Sequence, residues 1–522
     1  MKLNYKRTIL VGFAFFLISA FWQAYDATIP VILTNKFGMS QTWSGVIMAL
    51  DNILAVFMLP LFGTLSDKCH SRIGKRTPFI TIGAIFAAFL ILALSFADNA
   101  QLRNISEISK IDDPAALEVI YESQGNQKLQ TPEGDQFVLS ELYSKEEFAA
   151  IRSTDEMTVA IVDGKEVSFS AYTNYVVPAR QAYAHAITAQ NPAPLILFIA
   201  LLLLVLISMA IFRSPAVALM PDVTVKPLRS KANAIINLMG TAGGILILVL
   251  GMVFATSAVR NQLMNYNAYY GVLAGIMLLA LVIFLTTVRE PEWSAQMQAD
   301  SVRYGIEEKE ENTAGTRKLN SSEKRSLIFI LLSIALWYFG YNAVTSKYAV
   351  YAGNILNMEY NTTLLIAQAA AIISYIPAGI IAAKLGRKKT ILLGVILLTV
   401  AFGAASFMRA GSSVLVMYAL FAMAGVGWAT INVNSFPMVV EMCSGGDIGK
   451  YTGYYYTASM FAQIVTPMFS GWLMDLPNVG MTVLFPYAAI FAGMAFITML
   501  MVKHGDAKPE VKGGLEALDI DD

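Results

Sequence analysis

Two carboxylates lie inside long apolar stretches of the sequence. Asp26 falls about eight residues before the end of one stretch and Asp51 about eight residues after the start of the next, so as helices they place both groups roughly 12 Å below one surface. A charge in hydrocarbon costs at least about 2.5–3.5 kcal/mol. Neighbouring carboxylates can share a proton or, with an amide such as Asn52, hold Na⁺. The structural alternative is that each carboxylate caps a break in a helix or accepts a hydrogen bond from a neighbouring hydroxyl.

Arg213 is a third charge within an apolar stretch. It lies about eight residues before Pro221, which places it roughly 12 Å from the opposite surface and more than roughly 10 Å deeper than the carboxylates. We therefore predict no direct ion pair between Arg213 and Asp26 or Asp51. The guanidinium can instead donate paired hydrogen bonds to a substrate or to a backbone carbonyl. A snorkelling or inter-helix structural role is the alternative.

Amide and aromatic side chains occur near the middle of several apolar stretches. Amides exchange hydrogen bonds with the polar groups of a solute and aromatic faces pack against its apolar surfaces, so these residues are candidates for substrate binding. Aromatic residues also anchor helices at membrane interfaces, which is the ordinary explanation for many of them. Together with Arg213, the candidates are Trp22, Gln23, Tyr25, Trp337, Tyr341, Asn342, Gln368, Trp428, Asn432 and Gln463.

The composition is that of a membrane protein. Of the 522 residues, 56% are hydrophobic and only 14% are charged, whereas soluble domains carry roughly 25% charged residues. A helix needs about 20 residues to cross the hydrocarbon layer. Twelve stretches have that length: 8–33, 43–64, 78–97, 194–220, 232–257, 270–288, 326–346, 361–382, 390–408, 412–440, 451–473 and 482–502.

Basic residues predict the orientation of these spans. Most of the lysines and arginines of the short loops fall on one side, and positively charged loops remain in the cytoplasm. We therefore predict an integral protein of the plasma (cytoplasmic or inner) membrane, with both termini in the cytoplasm.

Polar segments divide the chain. Residues 1–97 and 194–288 are expected to form a first six-helix bundle and residues 326–504 a second. Residues 98–193 are predicted to form a small α+β extracytoplasmic insert, with a short helix near 141–152 and a hairpin around Asp163-Gly164. Residues 289–325 are a charged cytoplasmic linker, and 505–522 an acidic, disordered tail. The fold class is thus an all-α membrane protein with a mixed insert.

A weak internal repeat supports the two bundles. In the first half, residues 63–67 and 72–76 flank a cationic loop after the second span, and residues 379–383 and 385–389 occupy the same place in the second half. Two related bundles would leave such a pattern. The cations are expected to meet helix C-termini and carboxylates at the cytoplasmic face.

The loop string at residues 66–79, S-D-K-C-H-S-R-I-G-K-R-T-P-F, resembles the signature loop of the major facilitator superfamily. Its wider pattern, with residues 213–222 and 449–453, is similar to sucrose-transporter-like carriers, relatives of the glycoside–pentoside–hexuronide:cation symporters. The resemblance implies secondary transport of a sugar or glycoside, driven by protons or Na⁺.

The resemblance also bears on individual residues. Melibiose-permease-like carriers keep acids near the proline of the second span, but Ala55 and Leu59 stand there in this sequence. That departure favours protons over Na⁺, with Asp26, Asp51 and Asn52 as the coupling residues. The resemblance implies a cytoplasmic gate that joins loop residues to the fourth and fifth spans: Asp67, Arg72, Lys75, Arg76, Asp222 and Arg229.

Signatures of other classes are missing from the sequence. It contains no phosphate-binding G-x-x-x-x-G-K-[ST] motif and no metal-ligand spacing, so we expect neither an enzyme nor a cofactor. Zero net charge suggests no nucleic-acid partner. We expect a monomer in the lipid bilayer that imports a small molecule with a cation. An exporter of amphipathic, drug-like compounds and a non-transporting receptor that uses the insert are the alternatives.

Overall fold

The computed structural model describes residues 3–162, 165–225, 228–304, 319–440, 442 and 448–505. Within these residues twelve long helices, here called spans 1 to 12, follow in order. They are Tyr5–Asn35, Gln41–Asp67, Thr77–Asn104, Ala193–Val223, Arg229–Val253, Asn267–Thr287, Ser321–Tyr351, Tyr360–Leu385, Arg387–Ala405, Val414–Val440, Ile448–Asp475 and Leu484–Leu500.

The predicted all-α membrane fold is confirmed. In the described part of the chain, eleven of these helices are long and apolar enough to cross a bilayer. Span 11, of 28 residues, is not among them, and its first half is rich in tyrosine and glycine. Prolines lie inside several spans, as membrane helices tolerate when neighbouring groups satisfy the freed carbonyls.

Each half of the molecule has its own hydrophobic core. Side chains of spans 1 to 6 form the first core, and those of spans 7 to 12 form the second. Ala27 and Val31 of span 1 pack into the second core, so span 1 also contributes to the contact between the halves.

The spans differ from the predicted stretches mainly at their polar ends. Span 7 begins at Ser321, inside the predicted linker, because Asn320 and Glu323 form a capping box that extends the helix beyond its apolar part. Span 3 continues to Asn104, into the predicted insert. The predicted linker also contains the helix Glu290–Arg303. Its residues 305–318 and the predicted disordered tail from 506 onwards lie outside the described residues.

Between spans 3 and 4 the chain forms short helices and two antiparallel hairpins. Strand β1 (Lys128–Gln130) pairs with β2 (Gln136–Val138), and β3 (Thr158–Val162) pairs with β4 (Lys165–Phe169). The turn predicted at 163–164 lies outside the described residues. The helices are Pro114–Gln124, Leu139–Leu142, Lys145–Ala150 and Val177–Gln190. We call the end of the molecule that carries this insert the insert end.

Candidate functional site

A cavity of about 190 Å³ lies between the two halves, where spans 1, 2, 4, 7 and 11 meet. Each of these helices contributes at least one polar side chain to the cavity wall. These side chains come from the middle of the helix or from the half nearer the insert end. The cavity is lined by Trp22, Asp26, Met48, Asp51, Asn52, Arg213, Asn342, Thr345, Ser346, Gln463 and Pro467.

The two predicted carboxylates face this cavity together. Asp26 and Asp51 are each half-buried, and both line the cavity wall. The Asn52 amide donates a hydrogen bond of 2.7 Å to Asp51 Oδ1. Among the described residues, no lysine, arginine or histidine nitrogen lies within 4.0 Å of either carboxylate. The carboxylates are therefore available to a proton or a cation that enters the cavity.

Arg213 lines the same cavity, although counting along straight helices placed it well below the carboxylates. Span 4 contains Pro215 and Pro221, and prolines bend helices, so its depth does not follow from residue count alone. The guanidinium carbon lies 5.5 Å from the centre of the Trp22 ring, at cation–π range. It forms no ion pair with Asp26 or Asp51 in the described structure, as the sequence analysis predicted.

Span 7 supplies a polar face that the sequence revealed only in part. Asn342 was a candidate, whereas Thr345 and Ser346 were missed. They lie three and four residues after Asn342 and therefore share its helix face. The hydroxyl of Ser346 donates to the Asn342 carbonyl over 2.7 Å. Helical spacing from Asn342 could have identified both hydroxyls.

Met48 and Pro467 were also missed as lining residues. Met48 lies three residues before Asp51, so the same spacing rule finds it. Pro467 lies four residues after Gln463 on span 11, so the rule finds it as well. Gln463, which was a candidate on span 11, does line the cavity.

Several predicted residues lie near the seam between the halves but outside the cavity lining. Gln368 Nε2 donates to Gln23 Oε1, which joins span 8 to span 1. The rings of Tyr341 and Trp428 are stacked, with centroids 3.6 Å apart and planes 3° apart. Asn432, one turn beyond Trp428, lies against Tyr375.

Two of the predicted aromatic residues are packed in hydrophobic cores instead. Trp337 is 1% exposed in the second core, and Tyr25 is 2% exposed in the first. Trp337 lies four residues before Tyr341, but that spacing did not bring it to the cavity. Neither residue lines the cavity, although the Tyr25 ring packs edge-to-face on the ring of Trp22, with centroids 5.3 Å apart.

The halves are in direct contact above the cavity, at the insert end. Gly45 lies so close to span 11 that a Cβ there would come within 1.9 Å of the Pro467 carbonyl oxygen. The carboxylate of Asp475 accepts the backbone N–H groups of Gln41 (2.9 Å) and Thr42 (2.7 Å), which caps span 2 from the other half. Buried Lys347 donates to the Gln41 carbonyl over 2.6 Å. The cavity is therefore closed towards the insert end.

The predicted gate residues cluster at the end opposite the insert. Arg76 Nε donates to Asp222 over 2.8 Å, and its terminal nitrogen donates to Asp67. Lys75 Nζ lies 3.4 Å from Asp222. The side chain of Arg229 donates to the carbonyls at the end of span 4, and Arg72 is exposed. The loop thus holds spans 2, 3 and 4 of the first half together.

Glu290 completes this cluster, and the sequence analysis missed it. Its side chain is 2% exposed and accepts the backbone N–H groups of Lys75 (2.8 Å), Arg76 (2.9 Å) and Thr77 (2.8 Å), and also the Thr77 hydroxyl. A carboxylate at a helix N-terminus satisfies the unpaired N–H groups and the helix dipole. Because Glu290 lies only three residues after the end of span 6, it ties that helix to span 3. An acid just after a span, opposite a cationic loop, was the available signal.

Replacing Glu290 with Gln is expected to lower the free energy of unfolding by at least about 2 kcal/mol, because the amide nitrogen would face buried backbone donors that lose their acceptor. Thermal unfolding of the purified protein in detergent measures the effect. Glu292→Gln is the matched control, since Glu292 is exposed and its ion pair with Arg289 lies at the surface. Equal midpoints for the two variants would contradict the role given to Glu290.

The second-half copy of this loop uses a different partner. Lys388 Nζ donates to the carbonyls of Leu500 (3.0 Å) and Val502 (2.6 Å), at the C-terminal end of span 12. A cation at a helix C-terminus is stabilised by the carbonyl dipoles there. Lys388 therefore holds the second-half loop against the C-terminal end of span 12.

A second cavity, of about 420 Å³, lies at the insert end between the loops that follow spans 5 and 7. Its wall is formed mostly by apolar residues and backbone, with Glu359, Ser257 and Asn357 as polar members. None of the predicted site residues lines it. The smaller cavity is the better candidate site, because it alone of these two gathers the mid-membrane charges.

Comparisons with known proteins agree with this architecture. The family model "Major Facilitator Superfamily" matches residues 182–374 and 359–517, and the model "MFS/sugar transport protein" matches residues 10–102. Sucrose transport protein SUC4 of Arabidopsis thaliana is 32% identical over 77 residues, and the general alpha-glucoside permease of Schizosaccharomyces pombe is 27% identical over 64 residues. These alignments span only 15% and 12% of the two relatives and the same shares of this chain.

Solved structures share the fold over nearly the whole chain. The inward-open xylose transporter XylE from E. coli superimposes with a TM-score of 0.57 over 97% of this chain and 98% of its own, at 14% identity. The peptide transporter POT gives 0.56 over 95% and 93%, at 11% identity. Identities this low show the fold alone, whereas the family models cover well over half of the chain. The chain therefore belongs to the major facilitator superfamily, whose members are membrane transporters and not enzymes.

Proposed function

We propose that this protein is a secondary transporter that imports a sugar or glycoside together with a proton. The central observation is the cavity between the halves, in which Asp26, Asp51 and Arg213 lie together under a closed insert end. Rocking of the two halves would expose this cavity to each side in turn. In this proposal both termini are cytoplasmic, and the insert lies outside the plasma membrane.

The lining of the cavity supports a polar, hydroxyl-rich solute. Asn342 and Gln463 offer amides, Ser346 a hydroxyl, and Trp22 an aromatic face, which are the groups that bind sugars. The volume of about 190 Å³ lies below the roughly 300–1,000 Å³ typical of sites for drug-sized ligands, which favours one sugar ring at a time. The names of the partly matching relatives, a sucrose transport protein and an alpha-glucoside permease, support sugars as the class of solute.

The charges of the cavity support proton coupling. Asp26 and Asp51 lack a cationic partner within 4.0 Å among the described residues, so each can alternate between a protonated and a charged form. Ala55 and Leu59 provide no further acid on span 2, which leaves fewer ligands for Na⁺. The polar lining also argues against an exporter of amphipathic compounds, whose cavity would be mainly apolar.

Uptake into proteoliposomes tests this function. Purified protein is reconstituted, and labelled monosaccharides and disaccharides are offered with an inward proton gradient, with a Na⁺ gradient, or with neither. We expect at least one sugar to accumulate with the proton gradient and to be released by a protonophore. Uptake that responds only to Na⁺ would contradict the choice of ion, and transport of apolar cations in place of sugars would contradict the choice of solute.

A further inference from the structure

The insert is attached firmly to the first half. Its last helix, Val177–Gln190, packs beside the end of span 1, where Gln181 donates to Asn35 over 2.7 Å. Gln101 of span 3 donates to Thr188 of the same helix over 2.9 Å. Because both ends of the insert also continue into spans 3 and 4, we expect it to move with the first half.

The first hairpin of the insert bonds to the second half as well. Its turn, residues 131–135, lies against the loop between spans 11 and 12. The backbone N–H of Asn478 donates to the Gly134 carbonyl over 2.9 Å, and that of Met481 donates to the Pro132 carbonyl over 2.7 Å. The turn and this loop thus form a backbone-to-backbone contact that crosses the seam between the halves.

Side chains extend the same contact on both sides of the turn. Gln130 Nε2 donates to the Leu476 carbonyl over 3.2 Å, and Glu133 lies 3.7 Å from Arg409, in the loop between spans 9 and 10. The Glu133–Arg409 pair is about one-third exposed, so the backbone bonds are expected to contribute more than this pair does.

The close fit depends on Gly480. Its φ angle is +61°, and a Cβ there would come within 2.4 Å of the Glu133 carbonyl carbon. Any side chain at position 480 must therefore push the turn away, in addition to straining its own backbone. The fit of the two loops is thus specific, and one small substitution on the second half can disturb it without changing the insert.

We propose that the hairpin Lys128–Val138 is a latch that holds the insert end closed and must release each time the halves separate there. The inference rests on the proposed alternation of the two halves. Its physical basis is that the latch bonds exist only while the insert end is closed, so they stabilise that state relative to the state open on the insert side. The partner of the hairpin is the 476–481 loop of the same chain.

The latch can be tested without knowing the solute. Met48 lines the cavity directly below the contact between spans 2 and 11. In a Cys69→Ser/Cys443→Ser background, Met48→Cys is exposed to a membrane-impermeant maleimide added only on the insert side of proteoliposomes. When openings are rare and brief, the labelling rate is proportional to the population open on that side.

Gly480→Ala is expected to raise this labelling rate about tenfold, which corresponds to roughly 1.4 kcal/mol. The loss of the two backbone hydrogen bonds can account for a change of this size. Glu122→Gln is the control, because Glu122 pairs with Lys145 inside the insert and the rate should stay within about twofold of the parent. A rate for Gly480→Ala equal to that of the parent would overturn the latch.

A second variant covers the case in which Gly480→Ala fails to fold. Replacing residues 131–135 with Gly-Ser-Gly-Ser-Gly changes the insert's side of the latch instead of the second half. It should raise the labelling rate of Met48→Cys by a similar factor. Conversely, a reducible crosslink between Glu133→Cys and Arg409→Cys should block uptake until it is reduced, and unimpaired uptake with the crosslink in place would overturn the latch. Failure of the transport proposal would appear separately, as a parent that takes up no sugar.

Discussion

Asp51→Asn is expected to abolish uphill accumulation of the solute while exchange of solute across the membrane continues. The amide keeps the shape of the carboxylate and its contact with Asn52, but it cannot gain and lose a proton. A gradient of one pH unit supplies about 1.4 kcal/mol per proton, enough for roughly tenfold accumulation with one proton per solute. We therefore expect the accumulation ratio to fall from near that limit to about 1.

Asp26→Asn is expected to behave similarly, because Asp26 shares the cavity with Asp51 and has no cationic nitrogen within 4.0 Å among the described residues. Accumulation and exchange are measured on the same proteoliposomes. Asp300→Asn, an exposed change in the helix Glu290–Arg303, is the control and should leave both unchanged. If both cavity variants still accumulate solute tenfold, neither carboxylate couples transport to protons.

Lys36→Met is expected to lower the free energy of unfolding by about 3–5 kcal/mol, the cost of leaving a buried charge without its partner. Lys36 and Asp98 are both fully buried, and Lys36 Nζ lies 2.5 Å from Asp98 and 2.7 Å from the Met264 carbonyl. The pair joins the end of span 1 to spans 3 and 6. Removing the lysine would leave the fully buried Asp98 carboxylate without its cationic partner.

The double variant Lys36→Met/Asp98→Asn separates charge from packing. Without the carboxylate, no charge remains buried, so we expect the double variant to recover more than half of the lost stability. Reversible unfolding in mixed micelles measures all three proteins. A double variant as unstable as Lys36→Met alone would mean that the loss comes from packing and not from the unpaired charge.

The predictable part of the site was its depth in the membrane. Asp26 and Asp51 lie at similar distances from the insert end because a helix rises by a fixed length per residue, and counting residues was enough to bring them together. The same count placed Arg213 deeper and predicted no ion pair with them; the structure has no such pair, but it brings Arg213 to the wall of the same cavity, which the count did not predict. Thr345 and Ser346 followed from the spacing of Asn342, although the sequence analysis did not use it.

The sequence alone determined the positions of eleven of the twelve spans, because the length and apolarity of a helix fix whether it can span hydrocarbon, whereas span 11 falls short of that criterion. It did not determine how each helix is rotated about its axis. That rotation depends on the neighbours against which the helix packs, and it decided that Gln463 faces the cavity while Trp337 and Tyr25 are packed in the cores. The tertiary structure alone also decided that Glu290 caps span 3 and that the hairpin of the insert meets the second half. Both contacts join residues far apart in the chain, and no local pattern specifies such a pairing.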